Sequence, residues 1–314
     1  MSIAQRLADS ALINPGSDRV RSVAGLARRS ARSRAGRFLA EGPQCVREAL
    51  RAHLGEFESL VPAPRDGVID ALYITERALQ RHPDIDQLVE RVLQAEGSPR
   101  VFVRMVSDEV LAAMSDAEHP QGVLAVCRIP ELTWAQVAER RPRLVAVMCR
   151  VQDPGNAGTV LRAADAAGAD AVVLTAGSVD LHNPKVVRST AGSLFHLPVL
   201  TGLDPAELVG RPVSDAAGGE LQVLAADGYG ALDLDELQDA SAAGREAAVE
   251  LSRPTAWLFG NEAQGLSEQE KALASHRVAV PLHGAAESLN VGTAATLCLY
   301  ASARAQRRTA EGAA

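Results

Sequence analysis

Three polar, glycine-bearing segments in the second half of this chain hold the side chains best suited to chemistry. The first is Gln152-Asp153-Pro154-Gly155-Asn156-Ala157-Gly158-Thr159, leading into a helical pattern that carries Arg162. The second is Leu258-Phe259-Gly260-Asn261-Glu262-Ala263-Gln264-Gly265-Leu266-Ser267. The third is Val280-Pro281-Leu282-His283-Gly284-Ala285-Ala286-Glu287-Ser288-Leu289-Asn290-Val291. All three follow apolar runs that read as strands, and open α/β sheets gather their ligands at the carboxyl ends of strands. No Gly-Lys-Ser/Thr follows the glycines and none has the G-x-G-x-x-G spacing, which disfavours phosphate-cradling ATP or NAD chemistry. What the segments supply is exposed backbone N–H and C=O groups near helix N-termini, with small residues that let a flat ligand such as an adenosine ring approach closely.

Taken singly, each polar residue also has a plain structural use. Asn156 would cap a helix starting at Ala157, and Arg162 would pair with Asp165 three residues on, worth roughly a few tenths of a kcal/mol. Glu262 reads as a loop carboxylate, and Ser267 with Glu270 has capping-box spacing. Ser288 and Asn290 are alternative caps for the last helix. His283 reads as a loop residue rather than a base.

The elements that must position these segments form two units. In the second unit, strands are expected at 144–148, 171–174, 222–225, 255–259 and 277–280. Most are short continuous apolar runs, as in a parallel sheet covered on both faces. Helices are expected at 157–167, closed by Gly168, and at 289–305. The first unit alternates in the same way: a helix at 43–53, a strand at 71–74, a helix around 76–93, a strand at 101–103, a helix opened by Ser107 and a strand at 123–127. The domain reading is a basic extension (1–36), a small α/β domain (37–130), a charged linker (131–143), a larger α/β domain (144–308) and a tail (309–314).

The chain has 314 residues, enough for two cores, with 47% hydrophobic and 23% charged residues, the composition of a soluble globular protein. No apolar run reaches the roughly eighteen residues needed to cross a bilayer, and the N-terminus lacks the pattern of a secretory signal, so a cytoplasmic location is expected. Cys45, Cys127, Cys149 and Cys298 lie far apart without metal-ligand spacing, implying buried thiols and neither a disulfide nor a metal. The net charge of −7 alone argues against a nucleic-acid partner. Its distribution does not: seven arginines and no acid lie between positions 19 and 37 (Arg19, Arg21, Arg28, Arg29, Arg32, Arg34, Arg37), while positions 203–252 hold eleven acids against two arginines. Such asymmetry permits RNA binding through the arginine run, which otherwise reads as a solvated helical face or a mobile arm.

In combination, Asn156 with Arg162, Phe259-Gly260-Asn261-Glu262, and Pro281 with Ser288-Leu289-Asn290 resemble the three signature motifs of SpoU/TrmH-type RNA 2′-O-ribose methyltransferases of the SPOUT superfamily, in the same order and local spacing. The likeness runs through Asn183-Pro184-Lys185-Val186-Val187-Arg188 and the segment from Gly192 to Pro198. Upstream, Arg37-Phe38-Leu39-Ala40-Glu41-Gly42 and His119-Pro120-Gln121-Gly122-Val123 are similar to the ribosomal-protein-like RNA-binding domain that many of these enzymes carry.

The resemblance implies an α/β fold in which a small N-terminal α/β substrate-binding domain precedes a parallel-sheet methyltransferase domain closed by a deep trefoil knot. It implies S-adenosyl-L-methionine as cofactor, held at Leu258, Phe259, Gly260, Val280, Leu282, Ser288, Leu289 and Asn290. Leu282 stands where a methionine is frequent, a mild change. Arg162, Asn156, Glu262, Ser288 and Asn290 are the implied catalytic set, with Asn156 and Arg162 coming from the partner subunit of a homodimer. Because a guanidinium with a pKa above about 12 is a poor base, Arg162 is expected to orient a phosphate and stabilise the developing alkoxide. The implied substrate is ribosomal RNA. A tRNA 2′-O-methyltransferase and a non-catalytic RNA-binding scaffold of the same fold are the alternatives.

Overall fold

The computed structural model describes residues 3–8, 11–57, 67–95, 99–209 and 220–312. It divides into two compact units. Met1–Glu131 with Asp180–His196 forms the first, and Leu132–Val179 with Leu197–Ala314 the second.

In the first unit, β1 (Arg37–Glu41), β2 (Ile69–Ile74), β3 (Phe102–Met105) and β4 (Val123–Arg128) form a sheet in the order β1-β4-β2-β3. β4 is antiparallel to both neighbours and β3 is parallel to β2. Successive strand residues point to opposite faces, and here both faces are covered. Phe38, Ala40, Leu72, Ile74, Ala125 and Cys127 join one apolar cluster with Val46 and Leu50 of the helix Pro43–His53. Leu39, Tyr73, Leu124 and Val126 join the other, with Val110, Leu111 and Met114 of the helix Asp108–Met114. Val20 and Val23, from the helix Asp18–Gly25, complete that second cluster, so the basic segment is part of the fold rather than a detached arm.

Two expectations change in this unit. The helix anticipated at 76–93 is two helices, Glu76–Arg81 and Pro83–Gln94, because Pro83 has no N–H to donate and pushes His82 out of helical geometry. The segment Asp180–His196, placed by sequence inside the larger domain, packs instead with the first unit. Its helix Pro184–Ser189 and the turn Ser193–Phe195 bury Val187 and Phe195 in the cluster around Phe38, whose ring lies 6.2 Å from Phe195 and 4.7 Å from His182.

The second unit is built on a seven-stranded, wholly parallel sheet: β5 (Leu144–Met148), β6 (Ala171–Thr175), β7 (Val199–Leu203), β8 (Gln222–Ala226), β9 (Leu232–Asp233), β10 (Thr255–Phe259) and β11 (His276–Ala279). Its order is β7-β6-β5-β10-β8-β11-β9. Every residue of β5, β6 and β10 is buried, the burial their continuous apolar runs required. β10 enters between β5 and β8, and β11 between β8 and β9, so late strands fill gaps left by earlier ones. The helix Pro154–Ala167 starts three residues earlier than expected, with Asp153 as its cap, and Gly168 ends it at φ 75°. It packs against the terminal helix Val291–Gly312, which extends past the expected end at 305. Gly292 is required at that crossing, since an added Cβ would lie 2.7 Å from Thr159 Cγ2.

Candidate active site

Because β5, β10, β8 and β11 are adjacent and parallel, their carboxyl ends bring four loops to one sheet edge. Three are the segments singled out by sequence, after β5, β10 and β11. The fourth, Asp227 to Gly230 after β8, lies between the other two late loops in sheet order.

The loop after β10 is held in one shape. Asn261 and Gly265 exchange backbone hydrogen bonds of 3.1 and 2.8 Å, bringing Gly260 so close to this turn that an added Cβ would lie 2.3 Å from the Gly265 carbonyl carbon. Arg150, at φ 56° just after β5, clamps it from the side: its guanidinium donates to both Glu270 oxygens (2.9 and 2.7 Å) and to the Gly265 carbonyl (3.1 Å). The Arg150 carbonyl in turn accepts from the Asn261 amide at 2.9 Å. Ser267 and Glu270 complete the capping box expected at that helix start.

Within this frame, residues from all three segments meet. Asn156 Nδ2 donates to Glu262 Oε1 at 3.0 Å, and Asn290 Nδ2 donates to Asn156 Oδ1 at 2.8 Å. Asn290 Oδ1 then accepts from the Gly292 N–H at 2.8 Å. An ionised carboxylate only accepts, so Glu262 fixes the orientation of Asn156, and Asn156 fixes that of Asn290. Burial acts to raise the Glu262 pKa, but hydrogen bonds from Asn156 and from the backbone N–H groups of Glu262, Gln152 and Asp153 outweigh it, holding the carboxyl below its usual range. Asn156 is thus bonded to Glu262 and Asn290 of its own chain. This corrects its reading as a helix cap, a position that Asp153 takes.

The other expected residues are placed as follows. Arg162 is exposed on the helix Pro154–Ala167 and makes no hydrogen bond or ion pair with a described residue, Asp165 included. Leu258 and Phe259 are buried at the end of β10, Gly260, Val280 and Leu289 are half-buried, and Leu282, Ser288 and Asn290 are exposed. His283 faces Asp235 at 3.5 Å. Arg150 and the Asp227 loop escaped the sequence reading; the loop carries an exposed Tyr229 whose N–H donates to Asp227 Oδ1 at 3.1 Å.

In the first unit the seven arginines divide. Arg28, Arg29 and Arg34 are exposed and without side-chain partners among the described residues. Arg19 lies over the Phe102 ring at 4.1 Å, Arg21 pairs with Asp18, and Arg37 donates to Asp70 at 2.7 Å. Arg32 departs from its expected RNA-facing role: it is 3% exposed, donates to the carbonyls of Leu26 (2.8 Å) and Ala27 (2.7 Å), and pairs with Asp180.

Comparison with known proteins agrees with this layout. Residues 143–300 match the model of the SpoU rRNA Methylase family, and residues 17–125 that of the MRM3-like substrate binding domain. The chain is 32% identical over 236 residues to the 23S rRNA (guanosine(2553)-2′-O)-methyltransferase RlmP of Bacillus subtilis, covering 74% of this chain and 86% of that one. It is likewise 32% identical over 203 residues to the 23S rRNA (uridine(2479)-2′-O)-methyltransferase of Streptomyces viridochromogenes, covering 64% and 67%. The SpoU methyltransferase AviRb of Streptomyces viridochromogenes, solved with the cofactor AdoMet, superposes with a TM-score of 0.71 at 28% identity, covering 93% of this chain and 99% of that one. By its site, its fold and these matches, the chain belongs to the SpoU rRNA methylase family.

Proposed function

We propose that this protein transfers the methyl group of S-adenosyl-L-methionine to a ribose 2′-hydroxyl of ribosomal RNA. The observation that carries the reading is the directed chain Glu262–Asn156–Asn290, which joins three sequence-distant segments at the ligand-binding edge of a parallel sheet. The loops fit the cofactor chemically: Gly260, Val280, Leu282, Ser288 and Leu289 offer backbone groups and aliphatic surface, with the ionised Glu262 nearby and no phosphate-binding loop. Leu258 and Phe259 anchor that wall from the buried end of β10. When bound, the cofactor supplies an electrophilic methyl carbon on a sulfonium.

Alignment of oxygen, carbon and sulfur accounts for most of the acceleration, since orientation is worth up to about 7–11 kcal/mol. Asn156, Asn290 and Glu262 serve that alignment, because the Glu262 oxygens are already occupied by Asn156 and the N–H groups of Gln152 and Asp153. Arg162, charged and unpaired, orients the adjoining phosphate and stabilises the negative charge growing on the 2′-oxygen. Arg28, Arg29 and Arg34 hold the RNA backbone.

The threading of β10 and β11 into earlier gaps supports the deep trefoil knot, and the exposed Leu297 and Tyr300 on the terminal helix support a homodimer seated there, which brings the partner's Arg162 to the site. The reading needs no metal ion and places the protein in the cytoplasm with the ribosome. Calorimetry with S-adenosylmethionine, followed by labelled methyl transfer to rRNA and to tRNA, tests it. Heat on binding and label in rRNA are expected; no heat from folded protein overturns the enzymatic reading, and label in tRNA alone overturns the substrate. Arg162→Ala is expected to lower turnover at least about 100-fold with cofactor affinity within about threefold.

A further inference from the structure

The two upstream motifs, 37–42 and 119–123, have no part in the site described above, yet the structure brings them together. They line a cavity of about 240 Å³ inside the first unit, floored by Leu111, Val123 and Leu124 and walled by Gly42, Gln121 and Arg188. We propose that this cavity receives one unpaired nucleobase of the substrate RNA, and so selects the site to be methylated. The proposal rests on RNA being the substrate.

Size, charge and shape each narrow the occupant. The volume is below the roughly 300–1,000 Å³ of pockets that enclose drug-sized ligands, and suits a single ring system. Arg188 is its one fixed cation and is already neutralised, donating to Glu41 and, at 3.0 Å, to Asp116. Glu41 is buried and also accepts from Ser115 Oγ (2.9 Å) and the Asp116 N–H (2.6 Å). With two carboxylates against one guanidinium, a phosphate is repelled, whereas a neutral ring with N–H donors is not. Gly42, at φ 85°, lines the cavity with no side chain to fill it, and an added Cβ would lie 3.0 Å from Gln121 Oε1. The Gln121 amide, exposed at the rim, offers both a donor and an acceptor to a base edge. Leu111, Val123 and Leu124 offer apolar contact to a ring face, the Arg188 guanidinium a plane against which a base can lie, and Gln121 a polar group for its edge, a combination suited to an unstacked RNA base.

The test is a nuclear magnetic resonance titration of the isotopically labelled full chain with adenosine, guanosine, cytidine and uridine, and separately with inorganic phosphate. At least one nucleoside is expected to shift the amide signals of Gly42, Gln121 and Gly122 saturably, while phosphate leaves them unmoved. Ala117→Trp, which fills the cavity from its partly exposed rim, should abolish the response. Gln121→Ala, a milder change at an exposed position, should weaken it and alter the preference among bases. In both variants KM for rRNA should rise, by about tenfold for Ala117→Trp, equivalent to about 1.4 kcal/mol of lost binding, with S-adenosylmethionine affinity within about twofold. Silence towards all four nucleosides, an equal response to phosphate, or unchanged KM in both variants overturns the proposal. Nucleoside binding in a wild-type protein that methylates no RNA would instead sustain the cavity and sink the methyltransferase reading.

Discussion

Replacing Arg32 with alanine should cost stability rather than RNA affinity. The guanidinium is 3% exposed and makes three charge-assisted bonds: to the carbonyls of Leu26 and Ala27, at the end of the helix Asp18–Gly25, and to Asp180. Truncation strands two carbonyls and leaves the Asp180 carboxylate, 19% exposed, without its partner. Removing one member of a buried pair costs about 3–5 kcal/mol, and the partial exposure of Asp180 places the loss near 3 kcal/mol. Asp180→Asn keeps an acceptor for the guanidinium and should cost about 1–2 kcal/mol. The Arg32→Ala/Asp180→Ala pair should cost less than the sum of the single changes, by at least about 1 kcal/mol. Amide exchange at residues 18–41, read with RNA binding on the same samples, reports the first unit separately from the second. A variant within about 1 kcal/mol of wild type that loses RNA affinity as Arg28→Ala does would refute the argument and return Arg32 to the RNA surface.

Removing Arg28, Arg29 and Arg34 together should lower the slope of log K against log salt by about 2–3 for RNA binding, with little change in stability, as measured by filter binding across a salt series. Asn156→Ala should reduce turnover about 100-fold, since Asn290 loses its orientation, while calorimetry shows a smaller effect on cofactor affinity. Burial pushes the His182 pKa down to about 4, against the attraction of Asp180. Its folded-state pKa being lower than in the unfolded chain, its neutral form contributes stability that is complete above about pH 6.5 and is lost as pH falls towards 4. The loss is up to about 3 kcal/mol; unfolding of wild type and His182→Phe across that range should show it in the former and not in the latter.

How much of this was legible in the sequence depended on the range of the interactions. β5 and β10 were readable to the residue because burial on both faces demanded unbroken apolar runs. β7 was missed because Thr201 and Gly202 are exposed and interrupt its run, and β9 because two residues carry no periodicity. The break at Pro83 is itself a local signal, since proline disfavours helical geometry in the residue before it. The members of the proposed catalytic set were recognisable through resemblance alone: Asn156 meets partners 106 and 134 positions away, and nothing local announces either contact. Arg32 is the clearest case of a hidden role. The nearest arginines, Arg29 and Arg34, are exposed, and what separates Arg32 from them is an aspartate 148 positions downstream. Charge counting sees seven equivalent cations, whereas burial makes one of them a structural bolt.

The packing of Asp180–His196 with the first unit sets an order of events during synthesis. When residue 131 has been added, the cluster around Phe38 still lacks Val187 and Phe195, and roughly 65 more residues must be translated before both exist. At about 5–20 residues per second this is an interval of roughly 3–13 s in which the nascent chain shows an uncovered apolar face. The N-terminal half is thus made first and finished late, and a ribosome-associated chaperone has its natural period of engagement in that gap.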